Sequence, residues 1–355
     1  ELQLLRFQLA RKRLKALGQW ILALIRYVNE NIIYGDYLIT TVVGSFGIDL
    51  KEPETLGEKI KSSIGLYDPY KIAIEEAVKL QLDCGIDIIG DGQPRGDMVG
   101  SFVKHIPGFS YEMNSSVIVS KIRAPQVDIM IKDLKFALNV LKREIKDRNM
   151  SEDEASKKGV KLMLTGPSTI VHSSRLESFY KERNPAIIDC AYALRREVES
   201  AEKAGAKYVQ IDEPFLSTGM VDLKVAKEAI GILTDGIEMP MGMHVCGNLD
   251  GCFKEIAKFP IDILDCEFAG NNVNIGILES NADLLKGKKL GFGCVDSAVN
   301  AVDDKDEVKA LVERGIAAVG KENMLLDPDC GLRKVDIPIA KEKLRILSDL
   351  AKEFN

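Results

Sequence analysis

Tryptophan is almost missing from this chain: Trp20 is the only one among 355 residues. Long apolar runs are missing too. The longest in the amino-terminal segment, Trp20 to Ile25, is far below a membrane span and below the apolar region of a secretory signal. There is no surplus of positive charge, since the formal net charge is -6, so nucleic acid is not an expected partner. No internal repeat, low-complexity tract or interdomain linker stands out. Seven cysteines, an odd number with no secretory signal, point to a reducing, cytoplasmic setting in which thiols serve packing or metal rather than disulfides.

What is present is the composition of a globular enzyme, 46% hydrophobic and 29% charged. From Gly35 onward short apolar runs alternate with longer amphipathic ones. Eight strand candidates can be counted: 38–44, 86–89, 161–164, 208–211, 241–245, 263–268, 289–293 and 324–326. Helical runs such as 70–83, 127–145, 186–204 and 340–354 fall between them. Alternation of this kind implies parallel crossovers, and eight of them imply an α/β protein of the (β/α)8 TIM-barrel type. Two alternating segments within 105–123, separated by turn residues, predict a β-hairpin inserted after the second strand as a lid or substrate wall. Residues 1–35 carry six basic residues among leucines and isoleucines, which predicts a basic amphipathic helical extension, leaving 36–355 as the catalytic barrel.

Polar residues gather directly after the strand candidates, where barrel active sites are built. Four of them suit zinc: His244, Cys246, Glu267 and Cys330. In Met243-His244-Val245-Cys246 the imidazole and thiol sit at i and i+2, so on an extended chain they share one face. Glu267 and Cys330 each follow an apolar run. Cys266 competes as a ligand if the strand is out of phase by one residue. Cys84, Cys190, Cys252 and Cys294 read as core packing, and His105 and His172 as surface or hairpin hydrogen-bonding residues. Zinc held by such a set can activate a thiol, because coordination removes the proton and leaves sulfur nucleophilic.

Six motifs in order, Thr41-Val42-Val43-Gly44-Ser45, Arg95-Gly96-Asp97-Met98-Val99, Leu164-Thr165-Gly166-Pro167, Gln210-Ile211-Asp212-Glu213-Pro214, His244-Val245-Cys246-Gly247 and Asp327-Pro328-Asp329-Cys330-Gly331-Leu332, resemble the catalytic domain of cobalamin-independent methionine synthase across roughly residues 38–350. The resemblance implies zinc as cofactor and homocysteine as the methyl acceptor. It also implies that Val43, Gly44 and Ser45 hold the amino-acid carboxylate and Asp212 its ammonium. Asp91 is a further substrate-binding candidate, although the family's acidic residue aligns poorly with Asp91-Gly92-Gln93.

Three donor-side features of the folate-using enzymes are replaced here. The pterin-stacking tryptophan falls on Ser173, a pterin-bonding glutamate on Thr218 and a proton-donating histidine on Ala298. A cobalt-bound methyl needs no proton on its leaving group, so the expectation is a methylated corrinoid donor, with a corrinoid protein docking at the barrel rim. Three alternatives stay open: a corrinoid-dependent methyltransferase acting on another thiol such as coenzyme M, which His244-Val245-Cys246-Gly247-Asn248 resembles; a folate-dependent methionine synthase; and a non-enzymatic barrel stapled by zinc.

Overall fold

The structure, a computed structural model, describes residues 37–177 and 179–355. The amino-terminal extension expected over 1–35 lies outside the described residues. Twelve strands are named in chain order: β1 Ile39–Thr40, β2 Ile88–Ile89, β3 Phe109–Glu112, β4 Ser115–Ile118, β5 Gly159–Val160, β6 Leu162–Thr165, β7 Ser174–Leu176, β8 Val209–Asp212, β9 Met241–Val245, β10 Ile263–Glu267, β11 Lys289–Val295 and β12 Met324–Pro328.

Seven of these form one parallel sheet in the order β1-β12-β11-β10-β9-β8-β6. Its strands are buried almost without a break, as expected when both faces of a parallel sheet are covered. This differs from a single set of eight strands. Strand β2 pairs with β5 in a separate two-stranded ladder, and the Thr41–Ile88 bridge lies outside both. At Gly90, the residue after β2, the backbone runs close to Met163, since an added Cβ would lie 2.6 Å from its Cε.

The helices form where capping and apolar spacing agree. Helix Pro69–Asp83 begins at Asp68, whose carboxylate accepts from Tyr70 N at 3.2 Å, and carries proline in its first turn. Helix Arg183–Ala204 ends at Gly205, whose φ of 87° an L side chain would resist. The helix expected over 127–145 starts later, at Ile131, and the Ile129 and Met130 N–H groups just before it donate to the Glu197 carboxylate. The hairpin segment does contain an antiparallel pair, β3 with β4, turning at Met113 and Asn114 with φ of 49° and 59°. Strand β7 joins it in parallel through β4, which the pattern did not foretell. Among the described residues no helix is long and apolar enough to cross a membrane.

Candidate active site

The candidate residues all come from chain just at or after the carboxyl ends of the parallel strands. His244 is the fourth residue of β9, and in the sheet register it sits beside Asp212 of β8 and Asp265 of β10. Its Nδ1 lies 2.9 Å from Asp265 Oδ1, both side chains being almost wholly buried. Burial pulls the imidazole pKa down, but the Asp265 carboxylate and the nearby Cys246 and Cys330 outweigh it, leaving His244 well above its ordinary value. A carboxylate on Nδ1 fixes the tautomer that turns Nε2 outward as a ligand.

Cys246 follows β9 at a turn completed by Gly247, whose φ is 88°. Ser217 Oγ donates to the Cys246 carbonyl at 2.7 Å, and the buried Asn274 Nδ2 donates to the carbonyls of Gly247 and Glu267. Cys330 follows β12. Its neighbour Asp329 accepts from Phe268 and Ala269 N–H groups at 3.0 Å and from Gly270 N at 2.5 Å, tying the β12 turn to the β10 turn. Burial pushes the Asp329 carboxyl up to about 8 against those three donors. The ladder between β11 and β12 shifts register between Gly293 and Val295, where an added Cβ on Gly293 would lie 2.7 Å from Asp329 Oδ1.

The outcome is a compact group. Ligand atoms of His244, Cys246 and Cys330 all lie within 4.8 Å of one another. The hydrogen bond from Cys246 and the nearby imidazole draw the Cys330 thiol down to about 4 against its burial, and the same shared proton drives Cys246 up. His244 Nε2 is buried with no hydrogen-bond partner. An orphaned imidazole nitrogen beside two thiols, one readily ionised, is the donor chemistry that zinc takes.

Glu267 stands differently from the expected fourth ligand. Its Oε2 accepts from Gly247 N at 2.8 Å, and among the described residues the gathered group is His244, Cys246 and Cys330 without it. Cys266, the alternative ligand, points the other way along β10 into the apolar core, where burial drives its thiol pKa well up.

The substrate-side candidates meet the same group. Gly44, with φ of 68°, and Gly331 let two turns touch: a Cβ on Gly44 would lie 3.2 Å from Gly331 Cα, and one on Gly331 would lie 2.8 Å from Ser45 N. Val43, Gly44 and Ser45 are thereby set against the Cys330 turn. Asp212 ends β8 with its carboxylate buried, Oδ1 accepting from Gln210 Nε2 at 2.7 Å, and burial raises it to about 6. Asp91 is buried after β2, accepts from Gln93 N at 3.0 Å and is likewise raised by burial to about 6. Its loop joins the Ser45 turn through Phe46 N, which donates to Gly92 O. His172 lies 5.7 Å from Phe215, centroid to centroid, and Thr218 Oγ1 donates to the Phe215 carbonyl.

Sequence reasoning missed Asp265 and Asn274, and it gave Asp329 no role of its own. Asp265 did leave a trace, since an acidic residue midway along an apolar strand calls for a buried partner. Asn274 left none, because its partners are two turns from other parts of the chain.

Comparison with known proteins decides the family. The family model described as cobalamin-independent synthase, catalytic domain, matches residues 38–353. The chain belongs to that family. It is a methyltransferase by that membership. A methionine synthase of Methanothermobacter marburgensis is 46% identical over 320 residues, covering 89% of this chain and 100% of the relative. One from Methanocaldococcus jannaschii is 41% identical over 326 residues, covering 89% and 99%. In fold, the chain is similar to a B12-independent methionine synthase from Shewanella sp. W3-18-1 in complex with selenomethionine, with a TM-score of 0.74, 23% identity, and 90% and 98% of the two chains covered.

Membership of a cobalamin-independent family overturns the methylated corrinoid donor and the corrinoid protein partner expected from the sequence. The error was one of inference from absence. At Ser173, Thr218 and Ala298 the sequence departs from the donor-side pattern that the resemblance implied, and such a departure does not by itself name another donor.

Proposed function

We propose that this chain is a zinc-dependent methionine synthase that methylates the sulfur of homocysteine, with methyltetrahydrofolate as donor. One observation carries the reading: three soft or borderline donors, His244, Cys246 and Cys330, converge within 4.8 Å at the end of the parallel strands, with His244 Nε2 buried and unpartnered. These three would hold the ion, and Glu267, which ends β10 and accepts from Gly247 N, is the carboxylate we assign as a fourth ligand. Bound zinc supplies a Lewis acid that lets the acceptor's sulfur react as a thiolate at neutral pH.

The protein's own groups do the rest. Asp265 holds the His244 ring so that Nε2 faces the two thiols. The Val43-Gly44-Ser45 turn offers backbone and hydroxyl to the amino-acid carboxylate, and Asp212, with Asp91 across the rim, offers a carboxylate to its ammonium. Fixing both ends of the amino acid leaves its sulfur a single approach to the methyl group, the kind of orientation from which transfer gains most. The eight-strand barrel belongs to the same reading. The β2–β5 ladder, the Thr41–Ile88 bridge and the continuity of Val160 with Leu162 support closure of the ring between β1 and β6, with residues from 36 onward as one catalytic unit.

The test is methionine formation by the purified protein from homocysteine and methyltetrahydrofolate, with and without zinc, beside Cys330→Ser. Zinc-dependent product that Cys330→Ser abolishes is expected. Stoichiometric zinc that no homocysteine perturbs, with no product, would leave only a structural ion.

A further inference from the structure

Below the rim, a line of buried polar side chains leads to Asp212. Gln210 Nε2 donates to Asp212 Oδ1 at 2.7 Å. Gln210 Oε1 accepts from Lys161 Nζ, which also donates to Tyr208 Oη at 2.9 Å. That hydroxyl lies 3.4 Å from Thr41 Oγ1, which donates to the Ile88 carbonyl at 2.8 Å. Lys161, Gln210, Tyr208 and Thr41 are each at most 2% exposed. Gly242, beside Gln210 in the register, leaves room for the Tyr208 ring, since a Cβ there would lie 3.3 Å from its Cε2.

A lysine this deep normally sits in an ion pair. Among the described residues Lys161 makes no direct ion pair; burial lowers its pKa, and Asp265, Asp327 and Asp212 act against that by favouring its charge. Its hydrogen bonds go to a phenol and an amide. An ammonium only donates, so it accepts one arrangement of the Gln210 amide: oxygen toward Lys161, nitrogen toward Asp212. The glutamine therefore always presents a donor to Asp212. With Oδ1 so occupied, the carboxylate is held in one rotamer and Oδ2 is the oxygen left to take a cation from the substrate.

We propose that Lys161 and Gln210 are positioning residues that set Asp212 as an ammonium acceptor and so give the site its preference for an α-amino thiol over the same thiol without the amino group. This rests on the reading that Asp212 binds the homocysteine ammonium. Lys161 does not touch the substrate; it acts through the orientation of one amide.

The experiment measures, by calorimetric titration of the zinc-loaded protein, the affinity for homocysteine and for 4-mercaptobutanoate, its analogue lacking the amino group, in Lys161→Met, Gln210→Leu and Asp212→Asn. Zinc content and far-ultraviolet circular dichroism identify any variant that fails to fold, and Gln210→Leu, which leaves the lysine in place, decides alone if Lys161→Met is lost. Each variant is expected to bind homocysteine roughly tenfold or more weakly, the scale of a lost hydrogen bond to a charged group, while its affinity for 4-mercaptobutanoate stays near that of the parent. If Asp212→Asn shows no such selectivity, the ammonium reading itself fails. If Asp212→Asn is selective but the folded Lys161 and Gln210 variants bind both ligands as the parent does, or lose both equally, the positioning role is wrong.

Discussion

Replacing Asp265 by asparagine perturbs the candidate metal centre without touching any of its ligand atoms. The side chain keeps its shape and its place in β10 opposite His244, but the carboxylate charge 2.9 Å from Nδ1 is lost. Two things then follow. With its oxygen toward the ring, asparagine still accepts from Nδ1–H but more weakly, so Nε2 becomes a poorer donor. With its nitrogen toward the ring, it demands a bare Nδ1, which moves the proton to Nε2 and blocks the metal. Both side chains are at most 4% exposed, so water cannot stand in for the missing charge. Outer partners of metal-binding histidines are typically worth 10- to 100-fold in affinity, or about 1.4 to 2.7 kcal/mol. The assay is competition for zinc between the reduced apoprotein and a chromophoric chelator, with the exposed Asp250→Asn as a control. Zinc affinity of Asp265→Asn within twofold of the parent, in a protein that unfolds at the same denaturant concentration, would refute the role given to Asp265 and weaken that given to His244.

Two further predictions concern the anchor between the Thr-Gly-Pro and Asp-Glu-Pro turns. The buried Glu213 carboxylate accepts from Ser168 N, Thr169 N and Thr169 Oγ1, yet burial still raises it from 4.5 to about 7. The folded chain thus keeps a proton that the unfolded chain releases between those values, and stability from this group falls as pH rises through that window, by about 3 kcal/mol in all. Glu213→Gln does not titrate, so its stability relative to the parent is expected to improve by that order between pH 4.5 and 7 in denaturant titrations; a difference independent of pH would contradict the reasoning. Gly166→Ala places a Cβ within 2.4 Å of Glu213 Cδ, Cγ and Oε1, and is expected to cost about 1–3 kcal/mol of folding stability; an alanine variant as stable as the parent would mean the two turns do not meet so closely.

Much of the architecture was legible in the chain because it rests on local pattern. The strands around His244 and Glu267 are runs of buried apolar residues, and the i, i+2 spacing of His244 and Cys246 survives folding because β9 is extended there. Cys330 was legible as the end of an apolar run, and its side chain lies with those of His244 and Cys246. The amphipathic helices fell close to their expected places for the same reason, although the pattern gave no sign that Glu197 would take the N–H groups ahead of helix Ile131–Asp147.

What did not follow from local pattern is everything that depends on which far-off residue is opposite. Asp265 under His244, Asn274 across two turns, Asp329 beneath the β10 turn and Lys161 behind Gln210 each act over 21 residues or more of sequence, apart from the seven between Asn274 and Glu267. The Gly247 N–H that engages Glu267 is likewise set by a neighbouring strand end. The donor was misjudged for a related reason, since three replaced side chains describe what a rim lacks and not what the folded rim supplies. By itself, then, the amino-acid sequence determined the periodic elements, their alternation and the residue types able to hold zinc, because periodicity and donor chemistry belong to short segments. Only the tertiary structure decided which donors converge, which carboxylate meets the imidazole and which oxygen of Asp212 accepts from Gln210, because hydrogen bonds a few ångströms long depend on the register of strands that are far apart in the chain.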